Sequence, residues 1–368
     1  MTTAQRPLGL ESLASGAILS PFTRLRRLLE GIAPGHANPI ELTVGEPRET
    51  MPSFVADKIK EAEAEFAKYP VIRGTDALRG SLASWLVRRY GLTGGIDAAR
   101  EVQPVNGSRE GLFFAALPAV GRKRVDGQPA ILIVNPYYQA YIGAALATNA
   151  EPVFLNATRE TGHLPDLDAL EKDTALLKRT VAFYLCSPAN PQGAVTSRTY
   201  VERALALARQ YDFMLFFDEC YSEIYSGDAP VGGLEVAAAT PQRFKNIVVF
   251  NSLSKRSNLP GLRSGLMAGD PDFLETLAEI RNLTAPQMPY PTQHASAAIW
   301  AEEQHVGVNR RAYQAKYAAC DRILGGRNGN PGRFGYVRPA GGFFLWLDMS
   351  QIGGGVEATV TFWKAAGV

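Results

Sequence analysis

Cysteine and histidine are scarce in this sequence, with 3 and 4 copies among 368 residues. Cys186, Cys220 and Cys320 are odd in number, lie far apart and form no C-x-x-C pair. We therefore expect neither a disulfide framework nor a zinc site, and a reducing cytoplasm is the expected location. The histidines are scattered without the spacing of metal ligands, so no metal is predicted.

An excess of charge and a long apolar run are also missing. Lys and Arg number 38 and Asp and Glu 36, so the net charge of +2 gives no electrostatic basis for binding nucleic acid or an anionic membrane. No stretch approaches the ~18 uninterrupted apolar residues of a membrane span. Residues 1–20 lack the basic segment and apolar run of a secretion signal, and no basic helix-turn-helix precedes Gly45. A small molecule is therefore the expected ligand.

Short apolar runs alternate with helical patterns through the middle of the chain. The runs that predict buried strands lie at residues 130–134, 181–186, 213–217 and 247–250. Residues 197–212 predict a helix, since a serine cap opens a segment with apolar residues at helical spacing. This alternation is typical of an α/β domain with a mostly parallel sheet flanked by helices.

The last third of the chain has a different pattern. Helices are predicted at residues 271–284, 292–303, 306–324 and 356–366, with a Gly/Asn/Pro-rich break at 325–332 and one or two strands at 336–349. A chain of this length and hydrophobicity can form a large and a small domain. We predict a large domain over residues 46–285 and a smaller α+β domain from both chain ends, residues 1–45 and 286–368.

Polar clusters follow three of the four predicted strands, where an open α/β sheet binds its ligands. After the strand at 181–186, the turn around Asn190 could hold an amide toward a ligand, and the Asn190-Pro191 bond is a candidate for cis geometry. After the strand at 213–217, a carboxylate at Asp218 would be costly to bury without a cation, such as a protonated pyridine nitrogen. The alternatives are a plain strand-to-helix turn and a helix-capping or metal-binding acid.

The third cluster centres on Lys255, which follows the strand at 247–250. A lysine that leaves an apolar strand can have a lowered pKa, and Schiff-base chemistry needs the neutral amine. Two hydroxyls, Ser252 and Ser254, and the guanidinium of Arg263 resemble a phosphate clamp; a solvated basic loop is the alternative. Upstream, residues 106–110 precede an apolar helix at 111–120, whose first N–H groups could receive a phosphate or form a plain N-cap.

These residues form an ordered set that resembles the class I/II aminotransferases of pyridoxal-phosphate fold type I. The matching segments are Gly45-Glu46-Pro47, Tyr69-Pro70 with Gly74, Asn106-Gly107-Ser108-Arg109, Pro136-Tyr137-Tyr138, Asn190-Pro191 with Gly193, Asp218-Glu219 with Tyr221, Ser252 with Ser254-Lys255, and Gly261 with Arg263 and Gly265. The resemblance covers nearly the whole chain and implies an aminotransferase with pyridoxal 5′-phosphate as cofactor and small amino and oxo acids as substrates.

The resemblance also implies roles for individual residues. Lys255 would hold the cofactor covalently and act as the general acid/base, and Asp218 would pair with the pyridinium nitrogen. Asn190 and Tyr221 would hydrogen-bond the ring O3′, and Tyr138 would stack on the ring. The phosphate would be held by Ser108, Ser252, Ser254, Arg263 and the amide of Gly107, and Arg109 would also bind the cofactor. Tyr69 would reach the phosphate of a neighbouring subunit, which implies a homodimer with shared active sites, and Gly45 and Asn190 would contact the substrate.

Residues 104–110, 218–225 and 252–265 are most similar to succinyldiaminopimelate aminotransferases of lysine synthesis. This implies amino transfer between glutamate/2-oxoglutarate and N-succinyl-2-amino-6-oxopimelate. The alternatives are an aspartate, aromatic or LL-diaminopimelate aminotransferase, or an inactive, truncated cofactor-binding protein. The last alternative arises because family members continue past the equivalent of Val368 into a segment whose arginine binds the substrate α-carboxylate. Arg338 is either a substitute for that contact or a surface charge.

Overall fold

The computed structural model describes residues 9, 11–12, 15, 18–325 and 331–368. Within them, helices flank a sheet of seven strands. The strands are β1 Val102–Val105, β2 Ala130–Asn135, β3 Glu151–Asn156, β4 Thr180–Cys186, β5 Met214–Asp218, β6 Ile247–Ser252 and β7 Gly265–Gly269. The helices are α1 Pro21–Leu29, α2 Val55–Glu61, α3 Asp76–Tyr90, α4 Ser108–Phe114, α5 Ala116–Arg122, α6 Gln139–Ala147, α7 Leu167–Lys172, α8 Thr174–Arg179, α9 Arg198–Gln210, α10 Gly233–Ala238, α11 Leu253–Arg256, α12 Pro271–Thr284, α13 Tyr290–Ala301, α14 Gln304–Leu324 and α15 Gly355–Ala366.

The sheet is mostly parallel, as the sequence predicts. Its strand order is β1-β7-β6-β5-β4-β2-β3. β7 runs antiparallel to its neighbours β1 and β6, and the remaining pairs are parallel. Parallel neighbours bring their carboxyl ends to one edge of the sheet, which is where ligands bind in open α/β folds.

The central strands are buried on both faces. Alternate residues of β4 enter two different apolar clusters: Phe183 and Leu185 belong to one, and Ala182 and Tyr184 belong to the other. Side chains alternate across a strand, so this division means that helices cover both faces of the sheet. The continuous apolar runs in the sequence are the result of this two-sided burial.

The register of three strands brings distant parts of the chain together. Gly265, the first residue of β7, pairs with Val105 at the end of β1 and with Ser252 at the end of β6. On the other side of β6, Phe250 pairs with Asp218 of β5, which in turn pairs with Cys186 of β4. The segments that follow β1, β4, β5 and β6 therefore begin side by side.

The predicted elements of the central region are confirmed with small shifts at their ends. The four predicted strands are β2, β4, β5 and β6, and the helix at 197–212 is α9, whose N-cap Ser197 accepts a hydrogen bond from the amide of Tyr200. The apolar helix at 111–120 is instead two consecutive helices, α4 and α5. The sequence patterns missed β1, β3 and β7, because β1 contains a proline, β3 is only partly buried and β7 begins and ends with glycine.

The predictions for the last third are confirmed for its helices, α12 to α15, and wrong for its strands. Residues 336–349 form no named strand and make one isolated bridge, between Gly341 and Tyr225. The amides of this segment bond to loops instead, since Gly341 donates to the Gly193 carbonyl at 3.1 Å and Gly342 to the Ile224 carbonyl at 2.8 Å. Of the predicted break at 325–332, residues 326–330 lie outside the described residues, as does most of the segment 1–17.

The described N-terminal segment contacts the last helix of the chain. The amide of Gly35 donates to the Trp363 carbonyl and that of Ile40 to the Gly367 carbonyl, both at 2.8 Å. Helix α13 packs against α2 and α3. The division into domains at residues 45 and 285 stays a prediction. Among the described helices, none is both long and apolar enough to cross a membrane.

Candidate active site

Asp218 is a buried carboxylate at the carboxyl end of β5. The Tyr141 hydroxyl donates to its Oδ2 at 2.7 Å, and the Cys220 amide donates to its Oδ1 at 3.1 Å. Burial raises the pKa of Asp218, and the hydrogen bonds from Tyr141 and Cys220 oppose that shift. An acid held in this way is suited to a cationic partner such as a protonated ring nitrogen.

Tyr141 is a site residue that the sequence patterns missed. It lies on α6, and its ring stacks on that of Tyr184 with centroids 4.7 Å apart. Tyr184 is itself held by a hydrogen bond from its hydroxyl to the Leu112 carbonyl at 2.6 Å. Tyr138 is the N-cap of α6 and has an extended backbone, so its three-residue spacing to Tyr141 is not a helical one. No local sequence signal therefore identifies Tyr141 as a site residue.

Lys255 lies on the short helix α11, immediately after β6. Its Nζ donates to the Gly45 carbonyl at 2.5 Å and lies 4.9 Å from the centroid of the Phe343 ring. Burial lowers the pKa of Lys255 to about 8, while Cys220 and Glu46 oppose the shift. A substantial fraction of the amine is therefore neutral at mildly alkaline pH, as nucleophilic attack on a carbonyl requires.

Tyr221 and Asn190 meet beside the lysine. The Asn190 amide Nδ2 donates to the Tyr221 hydroxyl at 3.4 Å. The Asn190-Pro191 peptide bond is cis, which confirms the prediction. The two residues come from the loops after β4 and β5, so the parallel sheet places both beside one ligand site.

An aromatic wall formed by Phe343 and Phe344 was not assigned to the site from the sequence. Both rings contact Tyr221 edge-on, with centroids 5.4 and 5.6 Å away, and Phe343 also stacks on Tyr313. A Cβ at Gly45 would lie 2.6 Å from the Phe344 ring, so a side chain there would displace that ring. Gly45, predicted to contact substrate, therefore lies between the wall and Lys255.

The predicted phosphate residues come together around the start of β7. The Ser252 Oγ lies 2.9 Å from the Ser254 Oγ and accepts a hydrogen bond from the Ser254 amide at 3.1 Å. The Arg263 guanidinium donates from Nη2 to the Asn106 carbonyl at 3.1 Å. Gly107 has a φ of +80°, and a Cβ there would lie 2.3 Å from the Arg263 Nη2. The loop after β1 and the loop before β7 thus form one cradle, in which Gly107 leaves the space that a side chain would fill.

Ser108 begins α4, directly beside this cradle. Arg109 is exposed and contacts Tyr138: its Nε lies 2.5 Å from the Tyr138 hydroxyl and its guanidinium carbon 5.4 Å from the ring centroid. Arg109 therefore touches the aromatic residue that was predicted to stack on the cofactor ring.

Tyr69 does not join the other predicted residues. It is 97% exposed, in the segment between α2 and α3. Arg338 pairs with Asp321, with its Nε 2.9 Å from Oδ2. This ion pair agrees with the interpretation of Arg338 as a surface charge.

The arrangement fits pyridoxal 5′-phosphate group by group. The cradle supplies hydroxyls and a guanidinium for a phosphate, Asp218 supplies a buried acid for a ring nitrogen, and Lys255 supplies an amine for an aldehyde. The fold and this site together define a pyridoxal-phosphate-dependent enzyme of fold type I.

The chain belongs to the family described as aminotransferase class I and II, whose sequence profile matches residues 37–366. It is therefore an aminotransferase. It is similar to an LL-diaminopimelate aminotransferase from Moorella thermoacetica, at 31% identity over 90% of this chain and 81% of the relative. A 4-dedimethylamino-4-oxo-anhydrotetracycline transaminase from Streptomyces rimosus is 32% identical over 85% of this chain and 79% of the relative.

A solved structure agrees with this assignment. The crystal structure of an aminotransferase from Neisseria meningitidis superimposes with a TM-score of 0.88 and 35% identity, covering 97% of this chain and 88% of that one. The relatives named above are described with different substrates. Membership of this family therefore establishes the cofactor and the reaction class, but it does not identify the substrate.

Proposed function

We propose that this chain transfers an amino group between glutamate/2-oxoglutarate and N-succinyl-2-amino-6-oxopimelate, in the synthesis of diaminopimelate and lysine. The observation that carries the proposal of catalysis is the arrangement of Lys255 and Asp218. They are a partly neutral amine and a hydrogen-bonded buried acid, at the ends of adjacent parallel strands. The substrate assignment is supported by the resemblance of residues 104–110, 218–225 and 252–265 to succinyldiaminopimelate aminotransferases.

Each residue has a defined task in this proposal. Bound pyridoxal 5′-phosphate supplies an electron sink that makes the α-proton of an amino acid removable. Lys255 would take the proton from the substrate α-carbon and hold it on its Nζ, which needs an amine with a pKa near the working pH. Asp218 would keep the ring nitrogen protonated. Tyr221 and Asn190 would donate hydrogen bonds to the ring oxygen, and Tyr138 would cover the ring face.

We also propose a homodimer in the cytoplasm. Tyr69 supports the dimer, because a tyrosine side chain that is 97% exposed is available to a second subunit. In the dimer this hydroxyl would reach the phosphate cradle of the partner, so that the two active sites are shared. The partners expected besides a second copy are amino and oxo acids, without nucleic acid or membrane.

LL-diaminopimelate is the second candidate substrate. The relative from Moorella thermoacetica favours it, because that protein is described as an LL-diaminopimelate aminotransferase. The two candidates differ in whether the distal nitrogen carries a succinyl group, so the free amine and the succinyl amide would need different contacts in the pocket. Aspartate and aromatic amino acids remain the other donors to compare.

Two experiments test the proposal. Borohydride reduction of the cofactor-loaded enzyme, followed by peptide mass analysis, should place the label on Lys255; a label elsewhere contradicts the assignment. Initial rates with 2-oxoglutarate and either N-succinyl-LL-diaminopimelate, LL-diaminopimelate, aspartate or phenylalanine should then be highest for the succinylated donor. A higher kcat/KM for the free diaminopimelate would replace the first candidate by the second.

A further inference from the structure

Glu219 is a buried carboxyl group that the proposed chemistry does not use. It follows Asp218 in the chain and is 1% exposed. The Tyr90 hydroxyl and the Asn251 amide donate to its Oε2 at 2.5 and 3.0 Å, and the Gly233 amide donates to its Oε1 at 2.7 Å. A carboxylate buried at this depth persists because its acceptor positions are filled by donors from three other segments.

The hydrogen bond between Glu219 and Asn251 connects the segment after β5 with β6, the two strands that carry the site. Asn251 belongs to β6, one residue before Ser252 and four before Lys255. Its Oδ1 also accepts a hydrogen bond from the Ser222 hydroxyl at 3.1 Å, next to Tyr221. Glu219 and Ser222 thus both hold Asn251, and the segment after β5 is joined to the end of β6 by side chains as well as by the sheet.

The connection lies directly after the paired part of β5 and β6, where the Glu219 amide still donates to the Phe250 carbonyl at 2.9 Å. The paired register of β5 and β6 ends at Asp218 and Phe250. Beyond that point Asp218 must face a ring nitrogen, and Lys255 must face a carbon on the opposite side of the same ring. A rigid ring tolerates little change in the separation of these two groups, since a displacement of ~1 Å can cost ~10²-fold in rate.

We infer that Glu219 is a positioning residue that keeps Asp218 and Lys255 at the separation which the cofactor ring requires, by bonding to Asn251 and Tyr90. This inference rests on the roles proposed for Asp218 and Lys255. Glu219 does not touch the substrate or the reacting atoms, so its effect passes through the two residues that do.

Glu219→Gln is the principal test variant. A glutamine has one acceptor oxygen and brings an NH2 group that faces donors, so it cannot satisfy Tyr90, Asn251 and Gly233 together. Tyr90→Phe is a milder variant that removes one donor and leaves the carboxylate and the core packing in place. Burial raises the pKa of Glu219 to about 7, so the measurements belong at a pH of about 8, where the carboxylate is ionised.

Asp270→Asn is the matched control. Asp270 is also a buried carboxylate, 5% exposed, and it accepts hydrogen bonds from the amides of Asn246, Asp272 and Phe273. It lies just after β7, at the opposite end of the sheet from the site. The control therefore repeats the loss of a buried charge and its hydrogen bonds without touching the segments that hold Asp218 and Lys255.

The readouts are kcat and KM, the visible circular dichroism of the bound cofactor, the Kd of pyridoxal 5′-phosphate for the apoenzyme, and the melting temperature. We expect Glu219→Gln to lower kcat by about 10- to 100-fold with KM changed far less, and to alter the cofactor dichroism. Tyr90→Phe should show the same changes at a few-fold level. Asp270→Asn should lose melting temperature and keep the kcat and dichroism of the wild type.

The inference is overturned if Glu219→Gln resembles Asp270→Asn, with lower melting temperature and unchanged kcat and dichroism. If Glu219→Gln does not fold, Tyr90→Phe decides: a wild-type kcat and dichroism overturn the inference, and a reduced kcat with altered dichroism supports it. Failure of the proposed function is visible separately, because wild-type enzyme would then carry no reducible cofactor on Lys255.

Discussion

Two groups at neighbouring strand ends, the buried Asp218 and the half-buried Lys255, differ in the neighbours that their surroundings provide. Asp218 receives hydrogen bonds from Tyr141 and from the Cys220 amide, which favour the charged carboxylate. Lys255 faces the Phe343 ring and one carbonyl, and burial lowers its pKa to about 8, which favours the neutral amine. Burial thus favours the neutral form of both groups; two hydrogen-bond donors oppose it at Asp218, and the charges of Cys220 and Glu46 oppose it at Lys255. The difference comes from the neighbours, and it divides the site into a polar end and an apolar end.

The largest effect should follow from removing the amine at the apolar end. Lys255→Ala deletes the proposed covalent attachment and the proposed proton carrier, so turnover should fall by about 10³-fold or more. Turnover with glutamate and an oxo acid, together with borohydride labelling, measures the loss. Lys316→Ala removes an exposed lysine paired with Glu49 and should retain activity. Comparable turnover in the two variants would remove Lys255 from the proposal.

The next largest effect should come from the polar end. Asp218→Ala removes the acid that keeps the ring nitrogen charged, so turnover should fall by about 10²- to 10³-fold while the cofactor still binds through the amine and the phosphate cradle. Absorbance of the bound cofactor measures whether it still binds, and kcat measures the loss of turnover. Asp168→Ala, at an exposed ion pair with Arg203, serves as control. Near-normal turnover with bound cofactor would refute the role of Asp218.

A smaller effect should follow from removing the hydrogen bond that Tyr141 donates to Asp218. Tyr141→Phe removes the hydrogen bond to Oδ2 and keeps the ring stacked on Tyr184. A hydrogen bond to a charged group contributes about 1.5–3 kcal/mol, so we expect kcat to fall by about 10-fold. Tyr184→Phe is a matched control, because its hydroxyl donates to the Leu112 carbonyl and not to Asp218. Equal kcat in both variants would show that Tyr141 only packs.

The smallest effect should appear at the apolar end as a change in pH dependence. Capture of pyridoxal 5′-phosphate by the apoenzyme needs the neutral amine, so its rate should rise with pH through about 8, the pKa to which burial lowers Lys255. Phe343→Ala admits water to the amine and should move this midpoint upward by up to about 1 pH unit, slowing capture several-fold near neutral pH. Stopped-flow absorbance measures the rate, with Leu345→Ala, a partly exposed neighbour, as control. A midpoint that stays fixed or falls would contradict the desolvation by Phe343.

Much of the site was predictable because its residues follow strands. Asn190, Asp218 and Lys255 each come after a continuous apolar run, and such runs mark buried strands whose carboxyl ends share one edge. The cradle was predictable as residue types, since serines, glycines and an arginine suit a phosphate. The way in which the cradle is brought together was not predictable, because it depends on β7. This five-residue strand has glycine at both ends, and the sequence patterns missed it.

The unpredicted residues lie where local patterns carry no information about neighbours. Phe343 and Phe344 were expected in a strand, but the amides of Gly341 and Gly342 bond to the loops after β4 and β5. Those bonds bring both rings to Tyr221. Tyr141 lies among the buried apolar residues of α6, and only packing against the sheet directs its hydroxyl to Asp218.

The sequence by itself determined the kind of fold, the order of the polar loops and the chemical types of the site residues. These follow from local periodicity and composition, which depend on the chain near each residue. The tertiary structure decided the register that joins Val105, Gly265 and Ser252, the aromatic wall beside Lys255 and the hydrogen bonds that hold Asp218 and Glu219. Those features pair residues that are far apart in the chain. The pKa shifts of Asp218, Glu219 and Lys255 depend on burial, which exists only once the chain is packed.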